Sequence, residues 1–190
     1  MSAPSSDFND HTADKISPAP SRFKQAWTVY QVNWKECLGI LITTTVQMAF
    51  FPGVLLEYQW SFIDDFSWFC ITLISFCSFC DTLGRLIASY FDIITKGGYL
   101  WSTIIRGIFF TTVYLLNFNS VAVEFFGATW WMIVCLFFFA TSFGYLVTIG
   151  FKYGGDETVG DQAIAGTLNG FHMTLGISIG STLALTCLKT

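Results

Sequence analysis

The sequence predicts an all-α membrane protein, a bundle of five transmembrane helices, from its composition and from the spacing of its apolar runs. Hydrophobic residues make up 53% of the 190 residues and charged residues only 12%, which is about half the charged share of an average soluble domain. Five apolar runs follow one another, and each has about the 20 residues needed to cross a hydrocarbon core of about 30 Å. An open sheet is excluded because its unpaired backbone groups cannot face lipid.

Two segments precede the first predicted span. Residues 1–22 are rich in Ser, Pro, Ala and Asp and contain no apolar signal-peptide core, which predicts a disordered tail. Residues 23–35 repeat aromatic side chains at helical spacing beside two lysines, a pattern typical of an amphipathic helix at the membrane interface. The aromatic residues are Phe23, Trp27, Tyr30 and Trp34.

The transmembrane domain, residues 36–190, holds the five predicted spans. These are residues 37–56, 66–91, 99–118, 129–150 and 163–188. Six of the seven Lys and Arg residues outside the spans lie on one side of the membrane if the N-terminus is cytoplasmic, as the positive-inside rule prefers. Five crossings then place the C-terminus outside, and we expect the plasma membrane rather than an internal membrane.

The composition and the short motifs also exclude several functions. The 9 basic and 13 acidic residues give a net charge of −4, which lacks the basic footprint of nucleic-acid binding. Cys77 and Cys80 form a C-x-x-C without the second ligand pair of a zinc site, so we predict no metal and no cofactor. Ser178 lies in a G-x-S-x-G, but inside a long apolar helix rather than at a strand-to-helix turn, so we predict no enzyme.

Two charges lie within the second predicted span, where each charge costs about 2.5 to 3.5 kcal/mol on the insertion scale. Asp81 is near the middle of the span and too short to reach the interface, and Arg85 follows at i+4, a spacing that favours an ion pair. One interpretation is a structural ion pair that holds helices together. The other, which we favour, is a polar cavity or permeation path, because ionisable residues within a membrane usually serve function.

Two further charges each have two interpretations. Arg106 lies about 10 Å from the start of the third predicted span, so it either reaches back to the interface or lines a cavity. Glu57 follows Pro52 and Gly53, which should kink or end the first helix. It is either a solvated loop carboxylate or a gate contact at the outer mouth.

Small residues recur at every fourth position of the fifth predicted span, in two neighbouring rows. One row contains Gly166, Gly170 and Thr174, and the other contains Gly176, Gly180 and Ala184. Small residues at this spacing let two helix backbones approach closely in lipid, where packing replaces the hydrophobic effect as the driving force. We therefore predict helix packing at these glycines.

Five motifs, one for each span, resemble in order the signatures of the last five transmembrane helices of equilibrative nucleoside transporters. They are FPGVLLE (Phe51 to Glu57), DTLGR (Asp81 to Arg85), RGIFF (Arg106 to Phe110), SFGYL (Ser142 to Leu146) and AGTLNGFHMTLGISIG (Ala165 to Gly180). The resemblance covers the chain from about Phe23 to its C-terminus. It implies the second half of a major-facilitator-like transporter with 6+5 helices.

The resemblance also implies a site and a function. In the family, the aspartate and arginine of D-x-x-G-R hydrogen-bond the nucleoside in a central cavity, and here they would be Asp81 and Arg85. A carboxylate can accept from sugar hydroxyls and a guanidinium can donate to base acceptors, which fits that role. Ser78 stands one turn before the aspartate, where the family often has Asn, and is a further candidate for the cavity or gate. The implied function is facilitated diffusion of nucleosides or nucleobases.

The resemblance is to one half of the family's usual architecture. Members usually have eleven helices and hold the substrate between the two halves, and a cavity with one wall cannot alternate its access. We therefore expect a half-transporter to self-associate or to bind a six-helix partner half. The alternatives are a fragment of a full-length transporter and a non-transporting membrane interaction or regulatory subunit.

Overall fold

The computed structural model describes residues 22–51, 63–117, 129–156 and 162–187. All regular structure within these ranges is α-helical and contains no strand, which confirms the all-α prediction. The helices are α1 (Arg22–Phe50), α2 (Phe66–Tyr90), α3 (Lys96–Asn117), α4 (Thr129–Asp156) and α5 (Gln162–Cys187). Apart from Arg22, the predicted N-terminal tail lies outside the described residues.

Two of the described helices are long and apolar enough to cross a membrane, namely α2 and the segment Trp130–Gly155 of α4. The other three carry polar side chains that lower their hydropathy, such as Arg106 in α3 and Asn169 in α5. The structure thus supports two of the five predicted spans by length and composition. The five-span architecture stays a prediction.

Helix α1 runs without a break through 29 residues. Its length is about 43 Å at 1.5 Å per residue, which exceeds a hydrocarbon core of about 30 Å. Residues 23–35, which the sequence analysis separates from the first span, therefore form the first part of the same helix. Within that part, Val29 and Asn33 are buried in the bundle, while Phe23, Trp27 and Trp34 are exposed.

The helices pack as two close pairs, α1 with α5 and α2 with α4, and α3 lies against both α1 and α4. An apolar cluster joins α2 to α4. Its buried members are Phe69, Leu73, Cys77 and Cys80 on α2 and Leu136, Phe139 and Ala140 on α4. These contacts fix the rotation of α2, and with it the direction in which the other side chains of α2 point.

Glycines allow α2 and α4 to approach closely. A methyl group built on Gly84 would lie 2.9 Å from the Tyr145 amide nitrogen and would collide with the Thr141 carbonyl. A methyl group on Gly144, the reciprocal glycine on α4, would lie 2.6 Å from Asp81 Oδ1 and would collide with the Asp81 carbonyl. Any larger residue at either position would therefore separate the two helices.

The two glycine rows of α5 have different surroundings. Gly176 lies against α1, since a methyl group there would be 2.8 Å from the Leu41 carbonyl oxygen, and Gly180 lies against Met48 of the same helix. Gly166 and Gly170 have no atom of another helix within 4 Å of the position that a methyl group would take. Of the two rows, only the Gly176 row therefore packs inside the described bundle.

Both ends of α2 are fixed by side-chain hydrogen bonds. Asp65 caps the N-terminus, where its Oδ1 accepts from the Ser67 amide at 2.8 Å. Such a cap satisfies an amide that has no intrahelical partner. At the other end, Tyr145 Oη of α4 accepts from the Ile93 amide at 2.9 Å and donates to the Phe91 carbonyl at 3.2 Å. These bonds hold the α2 to α3 connection against α4.

Candidate functional site

Helix α2 presents three different faces at 3.6 residues per turn. One face is buried against α4, as described above. A second face is exposed and apolar, with Trp68, Phe79, Leu86 and Tyr90. The third is polar in the second half of the helix, and we call this part, which contains Ser78, Asp81, Thr82, Arg85 and Ser89, the polar face of α2. A membrane helix with a separate polar face needs a surrounding other than lipid for that face.

Asp81 and Arg85 form an ion pair on this face. Arg85 Nε donates to Asp81 Oδ2 at 3.1 Å, and Arg85 Nη2 lies 3.1 Å from the same oxygen. The Arg85 side chain is 44% exposed and that of Asp81 is 26% exposed. The i+4 pair predicted from the sequence is therefore present. Both of its members belong to α2, and the Arg85 side chain faces the exterior of the bundle.

The depth of the pair follows from its neighbour on α4. Asp81 lies against Gly144, which is close to the middle of the Trp130–Gly155 segment that can cross a membrane. Asp81 Oδ1 is buried there without a hydrogen-bond partner among the described residues. A carboxylate thus has one oxygen paired with arginine and a second one against the α4 backbone, at mid-depth of the bundle.

Three hydroxyl groups accompany the ion pair on the polar face of α2. Ser78 Oγ donates to the Ile74 carbonyl at 2.9 Å, and Thr82 Oγ1 donates to the Ser78 carbonyl at 2.9 Å. Ser89 Oγ donates to the Arg85 carbonyl at 3.0 Å. Each hydroxyl proton is thus used within the helix, which leaves the oxygen lone pairs as acceptors on an exposed face.

Arg106 lies in a different environment, with only 6% of its surface exposed. Its Nε donates to Ser142 Oγ at 2.9 Å, and its Nη2 donates to Gln47 Oε1 at 2.8 Å and to the Phe139 carbonyl at 2.9 Å. The guanidinium carbon also lies 4.7 Å from the centre of the Phe139 ring. Arg106 therefore joins α3 to α1 and α4, and it reaches neither the end of its helix nor an exposed face.

A sequence comparison decides the family to which this bundle belongs. The family model described as "Nucleoside transporter" matches residues 2–187 of the 190. The chain belongs to the nucleoside transporter family. Comparisons with the curated proteins and with the solved structures gave no match. The family is one of transporters rather than of enzymes, and membership supports a nucleoside substrate and a location in a lipid bilayer.

Two further residues singled out in the sequence of this nucleoside transporter family member are Glu57 and Ser178. Glu57, the candidate gate residue, lies outside the described residues together with Pro52 and Gly53. Ser178, in the G-x-S-x-G sequence, donates to the Thr174 carbonyl of its own helix at 3.1 Å. The described ranges contain no group of three or more His, Cys, Asp or Glu side chains that could hold a metal ion.

The bundle also buries four polar residues that the sequence did not mark as candidates. These are Asn33 and Glu36 on α1, Tyr99 on α3 and Asn169 on α5. Asn33 and Glu36 are three residues apart and hence on one helix face, and this spacing was the available signal. Glu36 directly follows Lys35 at the end of the predicted interfacial segment, where a charge is expected at the membrane surface.

Proposed function

We propose that this chain forms one wall of a nucleoside-conducting pathway, and that Asp81 and Arg85 bind the nucleoside or nucleobase during facilitated diffusion. The observation that carries the proposal is the exposed ion pair on the polar face of α2, level with the middle of α4. Membership of the nucleoside transporter family gives the substrate class. The equilibrative mode is part of the proposal and follows the motif resemblance.

The chemistry of the pair suits a neutral, hydrogen-bonding ligand. A ribose hydroxyl can donate to the Asp81 carboxylate, and the exposed part of the Arg85 guanidinium can donate to oxygen or nitrogen acceptors of a base. Because the two charges neutralise each other at 3.1 Å, a neutral nucleoside can bind without leaving a net charge in the membrane. Ser78 and Thr82 add acceptors on the same face.

We further propose that all five helices span the membrane, as one half of a major-facilitator-like transporter. Several of the polar residues that lower the hydropathy of α1 are buried inside the bundle, as are Arg106 in α3 and Asn169 in α5. The buried ones of α1 are Asn33, Glu36, Thr43, Thr44 and Gln47, whereas Lys24 and Lys35, in its N-terminal part, are exposed. Inward-facing polar residues do not prevent a helix from presenting apolar side chains to lipid, so low hydropathy is compatible with spanning.

The complete pathway requires a second wall. The polar face of α2 is exposed on the described bundle. We propose that a second copy or a six-helix partner half covers it, since charged side chains within a membrane are costly when they face lipid. We also propose that the N-terminus is cytoplasmic and the C-terminus external, which the lysine and arginine distribution supports, and that the membrane is the plasma membrane.

Nucleoside uptake by transporter-deficient cells that express the full chain tests this proposal. Asp81→Asn keeps the side-chain volume and removes the charge, so uptake and nucleoside binding should be lost while the protein still reaches the membrane. Asp92→Asn is the matched control, because Asp92 forms an exposed ion pair with Lys152 at 2.7 Å, away from the polar face of α2. That variant should retain uptake.

The outcome that would overturn the proposal is equally specific. If the two variants reach the membrane in equal amounts and take up nucleoside equally well, the Asp81 carboxylate is not part of the pathway. If instead Asp81→Asn lowers the melting temperature in detergent but binds nucleoside normally, the ion pair has only a structural role.

A further inference from the structure

Arg106 of α3 is hydrogen-bonded to one turn of α4. Its Nε donates to Ser142 Oγ at 2.9 Å, and its Nη2 donates to the Phe139 carbonyl at 2.9 Å. Ser142 Oγ in turn donates to the same carbonyl at 3.0 Å. The three groups form a closed set of hydrogen bonds, so α4 is held at two points of a planar guanidinium fork rather than at one.

The Asp81 ion pair lies on the opposite side of the same part of α4. Ser142 and Gly144 are two residues apart and therefore point about 200° apart around the helix axis. A methyl group on Gly144 would lie 2.6 Å from Asp81 Oδ1 and would collide with the Asp81 carbonyl. This part of α4 is thus in contact with Arg106 on one side and with Asp81 on the other.

Arg106 is also anchored away from α4. Its Nη2 donates to Gln47 Oε1 of α1 at 2.8 Å. Its guanidinium carbon lies 4.7 Å from the centre of the Phe139 ring and 5.6 Å from that of the Phe110 ring, distances at which a cation is attracted to the face of an aromatic ring. Contacts with α1, α3 and α4 therefore leave the guanidinium little freedom to turn away from α4.

The contact between α4 and α2 is one of backbone on backbone. At Gly84 and Gly144 the two helices touch without a side chain between them. A small displacement of α4 therefore moves the surroundings of Asp81 directly, and hydrogen bonds weaken steeply as their geometry departs from the optimum. An apolar side chain could fill the space of Arg106 at a lower cost than a buried charge, so the filling of space does not account for an arginine here.

We propose that Arg106 is a positioning residue for the nucleoside site, and that it acts by holding the turn from Phe139 to Ser142, which places Gly144 against Asp81. Arg106 is buried on the far side of α4, so it acts through that helix and not by touching the nucleoside. The inference rests on the proposed function of Asp81. Loss of the hydrogen bonds between Arg106 and α4 should weaken nucleoside binding by about 2- to 30-fold, the range found for residues that act through others.

Two variants of its partners separate positioning from general stability. Ser142→Ala and Gln47→Met each remove one acceptor from the same guanidinium, the first on α4 and the second on α1. Each leaves a buried N–H group without its partner, so both variants should lower the melting temperature in detergent. Only Ser142→Ala should weaken nucleoside binding, because Arg106 keeps both of its hydrogen bonds to α4 in Gln47→Met.

Equilibrium binding of tritiated adenosine and of tritiated uridine measures this difference, in membranes from transporter-deficient cells that express the full chain. A double-mutant cycle tests the route of the effect. If Ser142 acts through Arg106, adding Ser142→Ala to Arg106→Leu should not change the dissociation constant further. Arg106→Lys keeps the charge without the planar fork, so its binding should also be weakened.

Several results would overturn the role of Arg106. These are wild-type affinity in Ser142→Ala, equal loss of affinity in Ser142→Ala and Gln47→Met, additive losses in the double-mutant cycle, or wild-type affinity in Arg106→Lys. The proposed function fails in a different way. Normal nucleoside binding by Asp81→Asn would refute it, whereas lost binding in Asp81→Asn with wild-type affinity in Ser142→Ala would retain it and refute only the positioning by Arg106.

Discussion

The close approach of α2 and α4 makes the effect of one methyl group predictable in sign and size. A methyl group at Gly144 would fall 2.6 Å from Asp81 Oδ1 and would collide with the Asp81 carbonyl, so Gly144→Ala must separate the two helices or displace the ion pair. Overpacking of this kind costs about 1 to 3 kcal/mol. At Gly166 the same methyl group meets no atom of another helix, which makes Gly166→Ala the matched control.

The control isolates the packing effect from helix propensity. Alanine favours a helix over glycine by about 0.8 to 1 kcal/mol at both positions, so this gain cancels when the two variants are compared. The difference in stability between them is therefore about 1 to 3 kcal/mol in favour of Gly166→Ala. For a chain of this length, that corresponds to about 2 to 12 °C in melting temperature.

Thermal melting of both purified variants in the same detergent, with and without nucleoside, measures this difference. Gly144→Ala should melt below Gly166→Ala and should bind nucleoside more weakly, because its new methyl group lies against Asp81. If Gly144→Ala melts at or above the temperature of Gly166→Ala, α2 and α4 are not in backbone contact at Asp81. The described geometry of the site would then be wrong.

Three further predictions concern other parts of the bundle. Arg106→Leu leaves the Gln47 amide oxygen without its buried donor, so it should destabilise the chain by about 1 to 3 kcal/mol, and equal melting of this variant and the wild type would contradict the contact. Tyr145→Phe removes the bonds that hold the α2 to α3 connection and should speed hydrogen exchange at the Ile93 amide, with unchanged exchange as the contrary result. Glycosylation reporters should place the N-terminus in the cytoplasm and the C-terminus outside, and finding both ends on one side would exclude five crossings.

The positions of the apolar runs in the sequence agree with the positions of most described helices. The observed bounds of α2, α3 and α5 lie within three residues of the predicted spans, because short polar loops separate the apolar runs. Helix α4 runs to Asp156, beyond the predicted end at residue 150, through a Gly-rich segment that local propensity disfavours. There the Gly154 carbonyl accepts from Asn33, a contact between distant parts of the chain that no local pattern contains.

Asp81 and Arg85 could be selected as candidates from the sequence because they are charged residues within an apolar run. A carboxylate in the middle of a long apolar run has few explanations, and its i+4 partner is visible in the sequence. Arg106 shows the limit of this reasoning. Its position suggested the interface or a cavity, while its buried partners Gln47 and Ser142 come from two other helices. Tyr99 and Asn169 are uncharged and far apart in the sequence, so nothing local marks them as buried polar residues.

The measurement that tests the central claim most directly is the accessibility of a cysteine introduced on the polar face of α2. Ser78→Cys and, as a control on the apolar face, Phe79→Cys are placed in a full chain whose six native cysteines are replaced by serine. The chain is expressed in transporter-deficient cells and treated with a water-soluble thiol reagent. We expect the reagent to label Ser78→Cys, nucleoside to protect it, and Phe79→Cys to stay unlabelled. Labelling of Ser78→Cys that nucleoside does not slow, or equal labelling of the two variants, would contradict a nucleoside pathway along this face.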